Sequence, residues 1–441
     1  MNLQNSNNLK EKAAKIIPHL TGTFSSAPSS FVEGVYPVYA KSALGSHFTD
    51  VDDNEFIDYL LGLGPITLGY NYPAVNEAII QQLKNGILFS LPHKIEVDTA
   101  ELISQTIPHA EMIKFEKSGS NAVTGAVRAA RAITKKEKIA YCGSGGVWHD
   151  WQAAMVSRND GVPKFNNDLI KVFEYNDIDG LEQIFEDNKN EIACIVLEPT
   201  IYQTPQKNFL SKIRKIADTN NAILILDEIV TGFRFDLGGC QKFFDIKGDF
   251  VCFGKGMGNG LPISAITGPI EFMKIYDKLW VSSTNNRETL SLSGTLATIQ
   301  EMKNNNTIKY CWSLGKRLLD GWNKIVQSFD LDTKMIGYPI RMTLKCFDSK
   351  GQESAALKSL ILQEMIKNGI FLSPGPTFLC YSHTEIDINV TLDSLEKICK
   401  QISSKIKNDD YAKYVEGKIP APIWTMSILP TKKSTLQHEG E

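Results

Sequence analysis

Between residues 112 and 267, seven short apolar runs alternate with longer amphipathic stretches, and that alternation leaves few folds open. The runs fall at 112–116, 138–142, 169–175, 193–198, 222–227, 249–253 and 263–267. Stretches with helical spacing lie between most of them, including 121–133, 180–187 and 210–219. Short β-rich runs separated by helices predict a mostly parallel sheet covered by helices on both faces, an α/β architecture. In such sheets, ligands bind beyond the carboxyl ends of the strands. Functional residues are therefore sought at 117–120, 143–149, 198, 227 and 255.

The rest of the chain reads differently. Residues 47–59 alternate apolar and polar positions about Asp52-Asp53-Asn54 and predict a hairpin. Helices are expected at 73–84, ended by Asn85-Gly86, and at 96–106. Past residue 305 the pattern becomes a helix (307–329), a strand (340–347), a helix (353–367), a short strand and a last helix (392–406), a smaller α+β domain. The expected division is an N-terminal segment 1–60 that packs with the small domain, a large domain 61–305, a C-terminal domain 306–430 and a frayed polar tail 431–441. With 441 residues the chain exceeds one small core, and two domains are the natural expectation.

Composition removes several classes of function. A formal net charge of -3, with basic and acidic residues interleaved, gives no field for nucleic acid or an anionic membrane. The eight cysteines form no C-x-x-C pair, and several lie inside apolar runs, so buried reduced thiols are expected and no metal site. The first fifteen residues lack the apolar core of a signal peptide, and no uncharged apolar stretch is long enough to span a bilayer. A cytoplasmic enzyme fits these features.

Three constellations carry chemistry. The first is Lys117-Ser118-Gly119-Ser120-Asn121, between a strand and a helix. Small hydroxyl residues and glycine there present N–H and O–H groups to a phosphate; they also make an ordinary helix cap. The second is Asp227, ending the run 222–227. A carboxylate beside a pyridine nitrogen keeps the ring protonated and makes it an electron sink; the bland alternative is a capping or salt-bridging aspartate. The third is Lys255, in Gly254-Lys255-Gly256-Met257-Gly258-Asn259-Gly260, directly after the run 249–253. A desolvated lysine amine flanked by small residues suits imine formation with a flat cofactor; most lysines in glycine-rich loops are only surface charges. Taken together, phosphate cradle, sink carboxylate and amine describe a site for pyridoxal 5'-phosphate.

From about Gly45 to Ile299 the chain resembles the class III (fold-type I) aminotransferases, nearest the glutamate-1-semialdehyde aminomutase-like branch. The matching motifs are Asp50-Val51-Asp52-Asp53-Asn54 with Ile57-Asp58-Tyr59, Ser118-Gly119-Ser120, Glu198-Pro199, and Asp227-Glu228-Ile229-Val230-Thr231-Gly232-Phe233-Arg234. They continue with Gly254-Lys255-Gly256-Met257 and Glu288-Thr289-Leu290-Ser291-Leu292. The resemblance implies that Lys255 bonds to the cofactor's aldehyde and shuttles the substrate proton, and that Asp227 binds the pyridinium nitrogen. It further implies that Ser118, Gly119 and Ser120 hold the phosphate and that Glu198 sits near the cofactor hydroxyl and the substrate. Thr284 would reach the phosphate from a partner subunit, which implies a homodimer with its sites at the interface.

The chain departs from the family pattern in three places. Where the family has Tyr-His-Gly, with the aromatic stacked on the cofactor, this chain has Gly143-Ser144-Gly145-Gly146-Val147-Trp148-His149-Asp150-Trp151. One alignment puts Ser144 at the stacking position and a shifted one puts Trp148 there; an indole stacks better, which favours Trp148. His149 either flanks the ring and substrate or is satisfied by local hydrogen bonds. Pro28 falls where the aminomutases carry an arginine for the substrate carboxylate, and the lid-like loop is short, 151–161. Both departures argue against glutamate 1-semialdehyde as substrate.

Arg341 has two readings, a substrate-anion ligand or a structural arginine. The expectation is an aminotransferase moving an amino group from an amino acid such as glutamate to an aldehyde or ketone. Similarity of two blocks to a surface-polysaccharide subgroup suggests a sugar-type acceptor. An aminomutase, a decarboxylase or epimerase on the same scaffold, and a cofactor-free degenerate homologue are the alternatives.

Overall fold

The computed structural model describes residues 1–143, 146–405 and 409–420. These fall into two compact units: Met1–Glu77 with the chain from Gln300 onward, and Ala78–Ile299. The expected boundaries were 60/61 and 305/306; Ser144, part of the expected 392–406 helix and the tail 431–441 lie outside the described residues. Among the described residues, no helix is long and apolar enough to cross a membrane.

The first unit holds two small sheets. Strands Ala40–Leu44, His47–Asp50 and Glu55–Asp58 form an antiparallel meander, and Ile370–Phe371 joins its edge in parallel. The expected hairpin at 47–59 is the second and third of these. Thr333–Tyr338, Arg341–Cys346 and Pro376–Phe378 make a three-stranded antiparallel sheet. Helices Thr307–Ser328, Ala355–Lys367 and Glu385–Lys405 belong to the same unit, and Trp322, Phe56, Leu318 and Leu395 lie in its core.

Several of its elements were not expected, the strand Ala40–Leu44 among them. Thr333–Tyr338 has Lys334 and Gly337 inside it, which break the apolar run a strand search looks for. Gln4–Ala13, in the polar lead-in, is helical because a distant residue caps it: Asp52 accepts hydrogen bonds from the backbone N–H groups of Asn5 and Ser6 at 2.7 and 2.8 Å.

The second unit is built on a seven-stranded sheet. Its strands are β1 (Met112–Glu116), β2 (Lys138–Cys142), β3 (Ile170–Val172), β4 (Ile192–Leu197), β5 (Ile223–Glu228), β6 (Phe250–Phe253) and β7 (Ser264–Gly268). Their spatial order is β1-β7-β6-β5-β4-β2-β3. Strand β7 runs antiparallel to both neighbours, and the other six share one direction. Every residue of β4 and β6 is buried, as strands covered on both faces require.

Helix α1 (Gly119–Thr134) packs Val123 and Val127 into a core with Ile139, Val196, Ile225 and Ile266. Helix α2 (Thr289–Asn304) follows the sheet. Because six strands point the same way, the segments after β1, β2, β4, β5 and β6 all emerge at one end of the sheet.

Candidate active site

That end of the sheet carries the residues singled out from the sequence. The register aligns Leu197 of β4 with Leu226 of β5, and Glu228 of β5 with Phe253 of β6. Continuing it sets Glu198 beside Asp227, on strands spaced about 4.8 Å apart, with Lys255 two residues past the end of β6. Gly119, Ser120, Glu198, Asp227 and Lys255 all line one cleft of about 250 Å³. The rest of its wall includes Val147, Ile229 and Val230. This volume suits a small ligand; pockets for drug-sized ligands run roughly 300–1,000 Å³.

Local structure shapes each contributor. Lys255 opens a 3-10 turn, Lys255–Gly258, with φ of +39°, in the left-handed region that non-glycine residues seldom occupy. Such a departure concentrates at functional positions, where surrounding structure holds it. Asp227 is half-buried and accepts the backbone N–H of Ile229 at 3.1 Å. Glu198 is 6 % exposed, and its own N–H donates to the Cys142 carbonyl at 3.0 Å.

On α1, the Ser118 hydroxyl accepts from the Asn121 N–H at 3.2 Å and donates to the Asn121 side chain at 2.7 Å, so Ser118 is the helix cap and lies outside the cleft lining. Gly119 permits a close approach: a Cβ there would stand 2.9 Å from the Ile229 side chain.

Glu228, next to Asp227, is fully buried and acts structurally. Its carboxylate accepts from the backbone N–H groups of Cys240 at 2.9 Å and Gln241 at 2.6 Å, and from the Thr231 hydroxyl. A Cβ on Gly239 would meet that carboxylate at 2.7 Å. Burial pushes the Glu228 carboxyl up to about 7, against the pull of those three donors. The group therefore pins the 229–241 loop, which carries Ile229 and Val230, to the end of β5.

The remaining candidates are not gathered in the cleft. Trp148 is 73 % exposed and lies edge-on to His149, with ring centroids 4.4 Å apart. Val147, not Trp148, lines the cleft. His149 Nδ1 lies 2.5 Å from the Thr124 hydroxyl, which also accepts from Trp151 Nε1 at 2.9 Å. Burial lowers the His149 pKa, and the contact with Thr124 ties the ring into a local hydrogen-bond group with Trp151. His149 lines a separate hollow of about 150 Å³. Thr284 is exposed and lines a third depression with Trp280 and Arg287. Arg341 lies in the other unit, buried on its strand and paired in register with Phe378.

Sequence reasoning missed the ion pair of Lys117 with Glu288, Nζ to Oε1 2.7 Å. Glu288 also accepts from the backbone N–H of Leu290 at 2.9 Å and of Ser291 at 3.1 Å, capping α2. An acidic residue standing just before an apolar helical run was the readable signal. The aliphatic wall of Val147, Ile229 and Val230 had no such signal, because a buried valine or isoleucine in a loop reads only as core.

Comparison with known proteins gives this arrangement a family. The aminotransferase class-III family model matches residues 30–337. A glutamate-1-semialdehyde 2,1-aminomutase of Acetivibrio thermocellus is 32% identical over 90% of this chain and 97% of its own length. A 3-aminobutyryl-CoA aminotransferase of Cloacimonas acidaminovorans is also 32% identical, over 92% of this chain and 99% of its own. Among solved structures, a transaminase with PLP bound superposes with a TM-score of 0.85 over 92% of this chain and 99% of that one, at 24% identity, which carries the fold. With the family model spanning most of its length, the chain belongs to the class-III aminotransferases and is a pyridoxal-phosphate-dependent transaminase.

Proposed function

We propose that this transaminase moves an amino group from an amino-acid donor, glutamate being the first to test, to an aldehyde or ketone acceptor, and that the acceptor is a sugar-type intermediate of bacterial surface-polysaccharide synthesis. One observation carries the assignment of the chemistry to this cleft: Lys255, Asp227, Glu198 and the Gly119–Ser120 turn line a single space at the strands' carboxyl ends. These residues fit the cofactor. Gly119 and Ser120, in the first turn of a sixteen-residue helix, offer N–H groups to a phosphate, and the close approach at Gly119 leaves its backbone free of a Cβ. Asp227 is the half-buried carboxylate for a ring nitrogen, and Lys255 is the amine.

Bound pyridoxal phosphate supplies an electron sink for the electrons released at the amino-bearing carbon. The chain's own residues do the rest. Lys255 Nζ would take the proton from that carbon and carry it across the nitrogen to the cofactor's former aldehyde carbon. The Asp227 carboxylate keeps the ring nitrogen protonated, which makes the sink effective. Glu198 orients a donor hydroxyl or ammonium group in the cleft. Val147, Ile229 and Val230 exclude water from the cleft walls.

The reading as a transferase leans on Pro28, which stands where the aminomutases carry an arginine and opens a 3-10 turn, Pro28–Ser30. A carboxylate left without that partner would cost several kcal/mol, by rough expectation. An aminomutase on a small amino aldehyde is the second reading, favoured by the name of the Acetivibrio thermocellus relative. Incubating the enzyme with glutamate and a panel of keto and aldehydo sugars separates them. A keto-acid co-product in step with acceptor amination supports the transferase, whereas isomerisation of an amino aldehyde with no co-product supports the mutase.

A homodimer is part of the proposal. Several large apolar side chains of the second unit are exposed, Leu83 52%, Leu91 76%, Val97 66% and Trp280 85%, and a second copy would cover some of them. The exposed Thr284 would then serve the partner's phosphate. Eight free, buried cysteines support a reducing, cytoplasmic setting.

A further inference from the structure

We propose that Lys117 and Glu288 are positioning residues for the cofactor phosphate, a pair that holds the first turn of α1 in the shape the phosphate needs; this rests on the reading of Gly119–Ser120 as the phosphate cradle. The cradle depends on the backbone N–H groups of a helix's first turn pointing at one place. That turn begins at Ser118, directly after Lys117, so whatever fixes Lys117 fixes the start of the helix.

Lys117 is fixed by one carboxylate. Its Nζ lies 2.7 Å from Glu288 Oε1 and 3.3 Å from the Ser291 hydroxyl. The two side chains are 20% and 12% exposed, so the pair is screened far less than a surface ion pair. Glu288 is itself immobilised, because it caps α2 through the N–H groups of Leu290 and Ser291. A second tie comes from β7, where the Ser264 hydroxyl donates to the Ser118 carbonyl at 2.7 Å. The carboxylate thus clamps two helix starts, α2 directly and α1 through Lys117. Burial works against the charge on Glu288, but the hydrogen bonds from Lys117 and Ser291 outweigh it and hold the carboxyl below its usual range.

A positioning role and a merely structural one differ in what they do to ligands with and without a phosphate. The test is a spectroscopic titration of the apoprotein with pyridoxal phosphate and, separately, with pyridoxal, for wild type, Lys117→Met, Glu288→Gln and Lys117→Arg. Positioning predicts that Lys117→Met and Glu288→Gln each weaken pyridoxal-phosphate binding by about tenfold or more while pyridoxal binding stays within about twofold, and that Lys117→Arg recovers most of the loss.

Equal weakening of both ligands, or of neither, overturns the proposal and leaves the pair as ordinary fold support. Weakening in Lys117→Met without weakening in Glu288→Gln also overturns it, because Lys117 would then act as a direct cation. If wild type itself binds the two ligands equally well, the cradle reading fails, and the inference with it; that result is distinct from a wild-type preference that the variants leave unchanged.

Discussion

The two flanks of the cleft are built in opposite ways. On one side, the 117–120 turn and the 227–241 loop are tied to the sheet by buried or half-buried carboxylates, Glu288 and Glu228, each holding several donors. On the other side, the 146–148 segment is held by the Val147 N–H donating to the Gln152 side chain and a 3.4 Å contact from the Ser120 hydroxyl to the Gly146 carbonyl, while Trp148 stands 73 % exposed. The tied flank carries the groups whose chemistry tolerates little displacement, since a misplacement of about 1 Å costs on the order of 10²-fold. The looser flank offers Val147 as an apolar wall, which needs only to exclude water.

If that contrast is right, substitutions should grade accordingly. Lys255→Ala is expected to abolish turnover, by roughly 10²–10⁴-fold or more, with little change in melting temperature; retained activity would break the account at its centre. Asp227→Ala should slow the half-reaction by on the order of 10²-fold while affecting cofactor affinity less, as rapid-mixing and titration would report together. Next comes Gly119→Val, whose side chain meets Ile229 and overpacks the tied flank. A loss of about 1–3 kcal/mol of stability, with weaker cofactor uptake, is the expectation, and calorimetry of apo and holo forms reads both.

The pH dependence probes the same flank. The folded-state pKa of Glu228 is raised from an ordinary 4.5 to about 7. Its stabilising contribution is therefore present in full below about 4.5 and lost as pH rises through about 7. Melting curves between pH 5 and 8 should show wild type declining relative to Glu228→Gln across that window; parallel curves would mean the carboxylate is charged throughout. The smallest effect belongs to the exposed flank. Trp148→Ala should change stability by no more than about 0.5 kcal/mol and leave the cofactor's spectrum in place. A shifted band would instead restore Trp148 as the residue stacked on the ring.

Where the sequence was readable, the reason is periodicity. Strands β1 and β2 fall at the residues expected, and β4 to β7 lie within one position, because each is a short, largely apolar run bounded by turn residues. The grouping of Gly119, Ser120, Glu198, Asp227 and Lys255 followed from strand ends sharing one direction. The helix at Gln4–Ala13 was not readable, since its cap comes from Asp52, some 46 positions away. Nor was Thr333–Tyr338, whose lysine and glycine interrupt the pattern. In the 143–151 segment, two alignments gave Ser144 or Trp148. Stacking chemistry favoured the indole, but neither spacing nor chemistry could say which side chain turns inward; among the described residues of that segment, Gly146 and Val147 line the cleft.

The account stands on the identity of a single nitrogen. Reduction of the pyridoxal-phosphate-loaded protein with borohydride, followed by peptide mapping, should yield one modified residue, Lys255. A colourless protein that traps no adduct, or an adduct on a different lysine, would contradict it.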